Sequence, residues 1–365
     1  MGNGIISAFN GGGIENLTLA AALADLPDEA SFLAATASLT PNTTSSTLNE
    51  AFDAGRQING LIDRRLDSLC RTTSRDETAS RDECEGNAAT EGTWFQATYQ
   101  VAQQDGNDVF TGYNADTISF TAGYDKTIGA DTVIGGALTY TNIFVDAQQR
   151  GGEDHTELAH FTGYVSHREG PLFANGQASY VIGRVESDRV AAVGSSTFDI
   201  DSAFRLDGYN VRGTLGYEFD LGAGSYLAPI FGVAFGDYEA GEHQENGGLN
   251  LLIGEQDSTF VEGRFGAIAG AVTETSYGRL DFAGQVAYVR DFEGTANGAE
   301  DLTVFLEDQT FATLDVLNRS EDRVEIGAGA NLNLNNAFSM RLAGNADFGG
   351  NFQSFGVSLR LKYNF

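Results

Sequence analysis

Four histidines are spread through the 365 residues, and two of them stand among acids. His155 lies beside Glu153, Asp154 and Glu157; His243 lies beside Glu242 and Glu245. An acid next to an imidazole is how a hydrolase positions a general base. Nothing resembling G-x-S-x-G supplies the nucleophile that such a base would serve. A hydrolase with its site on loops is therefore the weaker reading of these groups. Asn59-Gly60 offers a second chemistry, because glycine gives little steric hindrance to cyclisation of the preceding asparagine. Cys70 and Cys84, the only cysteines, enclose thirteen polar and charged residues. In an oxidising compartment such a pair forms a disulfide. A metal site would need further soft ligands, and none lie nearby, so no metal is expected.

Those residues need elements to hold them, and the chain divides near residue 91. The part before it reads as helical. Asn16 can cap a short apolar helix through Leu26, and Pro27-Asp28-Glu29 opens a second, with acids at the positive end of its dipole. Pro41 to Ser46 reads as a linker. From Thr47 to Leu69, the residues Leu48, Phe52, Ile58, Leu61, Ile62, Leu66 and Leu69 form a narrow apolar stripe at helical spacing. Arg56, Gln57, Asn59, Asp63, Arg64, Arg65 and Asp67 cover most of the rest. Such a helix is about 35 Å long at 1.5 Å per residue. It is too charged to face lipid, but it suits a polar pore.

The second part is strand-like to the end. In Ser354–Phe365, the residues Phe355, Val357, Leu359, Leu361, Tyr363 and Phe365 share one face. Ser354, Gly356, Ser358, Arg360, Lys362 and Asn364 share the other. Twelve alternating residues ending on an aromatic outlast an ordinary half-buried strand and suit a tilted strand in an outer-membrane barrel. Similar segments recur from Phe95 onward, about twelve in all. Their connections alternate between short turns (Ile128–Asp131, Arg168–Pro171, Asp220–Ser225, Thr273–Tyr277, Asn335-Asn336) and longer acidic loops (Ala147–Asp154, Glu186–Asp201, Glu239–Asp257, Glu293–Val316). Short turns on one side and long loops outside are the outer-membrane pattern. The fold expected is an all-β membrane protein: a twelve-stranded antiparallel barrel with an α-helix through its pore.

Composition agrees. Gly is abundant at 46 and Pro scarce at 4, and 25 Phe and 13 Tyr supply the aromatics. Mean hydropathy is −0.20, which a barrel produces because every second residue points inward. With 51 acids against 21 Lys and Arg, the net charge of −30 excludes a nucleic-acid backbone as partner. The start, Met1-Gly-Asn-Gly-Ile-Ile, has no basic region before an apolar one and does not read as a secretory signal. Either the chain is cytoplasmic or it is a piece of a longer exported precursor, and the barrel reading favours the piece.

The order of these features resembles the translocator (β) domain of type V autotransporters, over roughly Leu17 to Phe365. Leu19–Leu39 looks like the family's segment before its pore helix, and Ala51–Leu69 looks like that helix. Trp94 stands where an early aromatic opens the first strand. Gly163-Tyr164, Gly216-Tyr217-Glu218 and Pro229 match recurring strand positions. Only about forty residues precede the helix, where a typical member carries a signal peptide and a long passenger.

The resemblance implies residues 1–46 as passenger remnant and linker, 47–70 as pore helix, 71–91 as periplasmic linker and 92–365 as barrel. It implies export of the chain's own passenger across the outer membrane of a Gram-negative cell, then plugging by the helix, with no cofactor. The C-terminus and helix linker would be periplasmic and the long loops outside. Partners implied are outer-membrane lipids and lipopolysaccharide, the barrel-assembly machinery that reads the C-terminal strand (Val357, Leu359, Leu361, Tyr363, Phe365), and periplasmic chaperones. Some relatives cut their passenger free inside the pore by Asn cyclisation, and Asn59 stands at the comparable place. Strand alternation puts Asp125, Arg212, Glu218, Glu262, Arg264, Asp281, Glu325, Arg360 and Lys362 inside, where the acids can pair with Arg56, Arg64 and Arg65. A porin-like channel, lacking the helix, is the other reading.

Overall fold

The computed structural model describes residues 21–39, 44–66, 92–106, 112–129, 131–148, 152–247, 250–293, 302–306, 309–314, 321–334 and 338–363. Helices α1 (Glu29–Leu39) and α2 (Thr44–Leu66) precede the strands among the described residues. The twelve barrel strands are β1 (Gly92–Gln104), β2 (Tyr113–Ile128), β3 (Thr132–Ala147), β4 (Gly152–Glu169), β5 (Leu172–Val193), β6 (Ser196–Tyr217), β7 (Ser225–Ala240), β8 (Gln256–Thr275), β9 (Gly278–Asp291), β10 (Asp322–Asn333), β11 (Phe338–Gly349) and β12 (Phe352–Tyr363). Each pairs antiparallel with its sequence neighbours, and β12 returns to β1 with Phe355 opposite Val101 and Leu361 opposite Phe95. The ring is closed. Closure leaves no strand edge in lipid, where an unpaired N–H or C=O could find no water.

Side-chain parity sets the two faces. On β12, Phe355, Val357, Leu359, Leu361 and Tyr363 are exposed on the outside, while Ser354, Ser358, Arg360 and Lys362 are buried inside. From Phe355 to Tyr363 the apolar face takes nine residues of strand, the length a tilted strand needs to cross the apolar band of an outer-membrane barrel. Large apolar side chains stay exposed on neighbouring strands too, Phe95, Phe120, Leu138, Phe161, Tyr180 and Leu215 among them. Water would not leave such a band bare, and lipid covers it. No helix among the described residues is long and apolar enough to cross a membrane.

At one end the strands join by tight turns, for example at Gly170 between β4 and β5, whose positive φ of 58° suits glycine. The opposite, loop end differs from the expectation at two places. The β3–β4 connection is shorter than expected, because β4 already starts at Gly152. More markedly, Glu186–Asp201 is not a loop: β5 and β6 run on as a hairpin to a turn at Gly194 (φ 61°). Its Gly, Ser and Asp content mimics a loop, but the in–out alternation never breaks. Val185, Ala191, Val193 and Ile200 stay buried on the lumen side. At 22 residues each, these strands are about 70 Å long and project well beyond the lipid band.

Beside this hairpin, four short strands (His243–Gln244, Leu252–Ile253, Leu302–Leu306 and Gln309–Leu314) form a separate sheet from the β7–β8 and β9–β10 connections. Helix α2 lies inside the barrel, and α1 packs at the loop end. Cys70, Cys84 and the periplasmic linker proposed for 71–91 lie outside the described residues, as do Leu69, Asn335-Asn336 and Phe365.

Candidate functional site

The site is the lumen, and α2 occupies it. The helix carries Glu50, Asp53 and Asp63 against Arg56, Arg64 and Arg65, so its side chains sum to no charge. Its apolar stripe splits between two clusters. Leu48, Phe52 and Ala54 pack near the loop end with Ile143, Leu158, Tyr238 and Phe260. Ile58, Leu61, Ile62 and Leu66 pack near the turn end with Trp94, Val133 and Tyr164. Burying these faces inside the barrel removes apolar area from water. The remaining polar surface of the helix must find partners in the wall.

It finds them on many sides. Near the helix start, Thr47 donates its hydroxyl to Asp154 of β4. Asp154 thus sits at the positive end of the helix dipole, where an anion is favoured. About three turns further on, Gln57 Nε2 donates to Gln100 Oε1 of β1 at 2.6 Å. Arg56 ion-pairs with Glu262 of β8 and with Asp53 one turn back (3.0 Å). Its guanidinium also lies 4.0 Å from the Phe52 ring centroid, a cation–π contact. Asp63 takes Arg212 Nε of β6 at 2.9 Å and Gln177 Nε2 of β5 at 3.0 Å, with Arg264 Nη1 of β8 at 3.8 Å. Arg65 pairs with Asp125 of β2, which also accepts the Tyr164 hydroxyl at 2.6 Å. The Trp94 indole N–H donates to that hydroxyl at 3.1 Å. Arg360 of β12 reaches the Leu61 carbonyl at 3.2 Å. Cations at Arg65 and Arg360 suit the negative end of the helix.

A second tier of wall charges binds the first together. Arg323 donates to both oxygens of Glu262 (2.8 and 2.9 Å) and lies 3.1 Å from Asp347, while Arg264 Nε donates to Glu325 at 2.9 Å. Arg323 Nη2 also lies 3.5 Å from Glu325, so Arg56, Asp63, Arg212, Glu262, Arg264, Arg323, Glu325 and Asp347 form one linked set across α2, β6, β8, β10 and β11.

Of the residues chosen from alternation, Asp125, Arg212, Glu262, Arg264 and Arg360 meet the helix directly, and Glu325 does so through Arg264. Asp281 instead pairs with Arg279 (3.1 Å) and Glu218 with Arg168 (3.3 Å), away from α2. Arg64 folds its guanidinium over Gly60, 3.3 Å from where a Cβ would stand. Missed were Gln100, Asp154, Gln177, Tyr164, Tyr238 and Arg323. Arg323 was readable from its parity with Glu325. Asp154 lies at the start of β4, in acidic and glycine-rich sequence that reads as a loop.

Gly55 exposes how closely helix and wall fit. A methyl group there would run into the Tyr238 hydroxyl, and Tyr238 is fully buried, 5.5 Å from the Phe52 ring and 3.0 Å from Asn210 Nδ2. Gly55→Ala gains up to about 1 kcal/mol in helix propensity. Overpacking at a site that cannot yield costs about 1–3 kcal/mol, so the net effect should be a lower unfolding temperature. A variant as stable as wild type in heat-modifiable gel mobility would show slack at this level.

The histidine–acid pairs do not form a hydrolase site. His155 points outward, stacked on Phe144 with centroids 4.7 Å apart. His243 stacks on Phe204 (4.1 Å) and donates from Nδ1 to the Gly241 carbonyl at 3.0 Å. Burial there pushes its pKa below the usual histidine value. Both carboxylate oxygens of Glu245 are taken by Arg189.

In fold, the chain is similar to the translocator domain of autotransporter NalP from Neisseria meningitidis (TM-score 0.61, 11% identity, 86% of this chain and 98% of that one). It is also similar to the transport unit of the autotransporter AIDA-I from Escherichia coli (0.57, 13%, 84% and 98%) and to the β-domain of the Bordetella autotransporter BrkA (0.56, 15%, 76% and 100%). No curated protein matches it in sequence. The family model for the autotransporter beta-domain matches residues 93–345, from β1 into β11. A closed twelve-stranded barrel that holds a helix in its lumen and matches this model over most of its length belongs to the autotransporter β-domain family, the outer-membrane translocators that export their own passenger.

Proposed function

We propose that the chain works as a translocator in its post-export state, with α2 as the plug left in the pore once the passenger has passed. The observation that carries this reading is the placement of α2: buried along its length and bonded to β1, β2, β4, β5, β6, β8 and β12. In this reading residues 1–43 are passenger remnant and linker, the plug starts at Thr44 rather than at the expected Thr47, and 92–365 are the barrel. The start of α2 shares its end of the barrel with the projecting hairpin, so that end is the cell exterior. The turns and both barrel termini are then periplasmic. Lipopolysaccharide surrounds the outer half of the apolar band.

The export machinery needs no bond chemistry, and the plug stays uncut. Cleavage after Asn59 would require its side-chain nitrogen to attack its own carbonyl carbon, forming a succinimide and releasing the Gly60 amine. Gln177 Nε2 donates to that carbonyl oxygen at 3.0 Å, which polarises it. The same carbonyl, however, lies inside an unbroken helix from Thr44 to Leu66, whose ladder fixes it away from a tetrahedral geometry.

One experiment tests both points. An epitope fused before Met1 and expressed with an export signal should appear on the cell surface, and the recovered protein should have the mass of the whole chain. An epitope that stays periplasmic would overturn the export reading. Two fragments ending and starting at Asn59-Gly60, absent in Asn59→Ala, would replace an inert plug with a self-cleaving one. The same cells report on assembly: truncation before Tyr363 should abolish insertion if β12 is what the assembly machinery and periplasmic chaperones hand over. Normal insertion would remove that role.

A further inference from the structure

Helix α1 is held in a way that plugging by α2 does not require. Asp28 caps its start, accepting the Ser31 N–H at 2.8 Å. Ala35 and Leu39, with Leu23 just before the helix, are buried against Ala191 and Val193 of β5, Ile200 of β6, Ile253 and Val304 of the short-stranded sheet, and Leu251 beside it. The hairpin residues belong to the lumen-side face, so α1 sits on the inside of the projection. The sheet residues come from the β7–β8 and β9–β10 connections, further round the ring. The helix thus bridges from one part of the barrel mouth to another.

A single arginine secures it. Arg189 of β5 donates through Nη1 to the Ser38 carbonyl (3.0 Å) and through Nη2 to the Leu39 carbonyl (3.1 Å). Those are orphan acceptors at a helix C-terminus, where a cation is also favoured by the dipole. The same guanidinium holds Glu245 through Nε (2.8 Å) and Nη2 (2.7 Å). The Ala192 N–H donates to Ser38 Oγ at 2.7 Å. Arg189 is 7% exposed and Glu245 4%, so the bonds are shielded from water and from salt.

We propose that α1 with Arg189 and Glu245 is a catch at the outer mouth, holding α2 in place and stopping the exported chain from slipping back. It rests on the export reading, since only an exported chain has α1 outside. Its logic is that of a one-way step. Inside the pore α1 has no such seat; on emerging it gains a capped C-terminus and a buried apolar face, and it is joined to α2 by residues 40–43 alone.

The test uses the full chain inserted in lipid, as wild type, Arg189→Met and Leu39→Asp. Leu39 lies outside every barrel strand, so its variant reports even if Arg189→Met does not insert. In wild type the amides of residues 29–39 should be protected from hydrogen exchange. In either variant their exchange should rise at least about tenfold, the factor carried by one hydrogen bond to a charged group, while α2 amides remain protected. Brief openings in planar bilayers should become more frequent by a similar factor. Wild-type α1 amides that exchange as fast as an unfolded peptide would overturn the catch, as would variants that release α1 without changing the openings. Failure of the epitope to reach the surface in wild type would instead overturn the export reading and leave the exchange result standing as structure alone.

Discussion

Removing residues 44–66 should convert a nearly silent barrel into an open channel. A helix with its side chains is about 10–12 Å across, and α2 fills the lumen from Asp154 near one end to Asp125 near the other. Its loss leaves a passage of about that width, wide enough for hydrated ions. The wall would hold, because every barrel strand keeps both its neighbours and β12 still closes on β1. The groups α2 had neutralised would turn to water, which solvates an exposed charge at little cost compared with a buried one. The expected result in planar bilayers is a large, steady conductance from the deletion variant against rare openings from the full chain. Heat-modifiable mobility checks that the shortened barrel is folded. A folded deletion variant as silent as the full chain would mean that something other than α2 closes the pore. An equally conductive full chain would mean that α2 does not seal it.

Much of this was legible in the sequence because barrels encode themselves in a period of two. Parity alone puts Asp125, Arg212, Glu262, Arg264, Glu325 and Arg360 inside, and a helix too polar for lipid yet long enough to span the barrel points to the same lumen. What parity could not give is which wall residue meets which helix residue. Asp63 and Arg212 are far apart in sequence, and their meeting depends on barrel closure and on the rotation of α2 about its axis. No local pattern records either. The projecting hairpin went unseen for another reason: Glu186, Asp188, Asp199 and Asp201 on its outer face are what a strand shows once it leaves lipid for water, and that composition is also a loop's. The role of Gly55 could not be foreseen without Tyr238 opposite, since a glycine in a helix otherwise reads as a local weakness.

Asp63→Ala should be the most damaging single substitution in the plug, and the reason lies in what it leaves behind. Asp63 is the carboxylate between two wall arginines, Arg212 at 2.9 Å and Arg264 at 3.8 Å, with Gln177 as a further donor at 3.0 Å. The side chains of Asp63 and Arg212 are 4% and 5% exposed, so solvent cannot replace the lost charge. Breaking a buried pair by removing one partner typically costs about 3–5 kcal/mol. Arg264 still has Glu325 at 2.9 Å, so the loss falls chiefly on Arg212. Arg212→Met alone leaves Asp63 with Gln177 and the weaker Arg264 contact, and should cost less. The double variant Asp63→Ala/Arg212→Met removes both charges together. Its cost should fall well short of the sum of the single ones, because neither charge is stranded. Thermal unfolding of the inserted protein and the frequency of bilayer openings should follow the same order: double variant and Arg212→Met milder, Asp63→Ala worst. Additive effects in the cycle would show the pair to be uncoupled and would move the seat of α2 to its apolar contacts with Trp94, Tyr238 and Phe260.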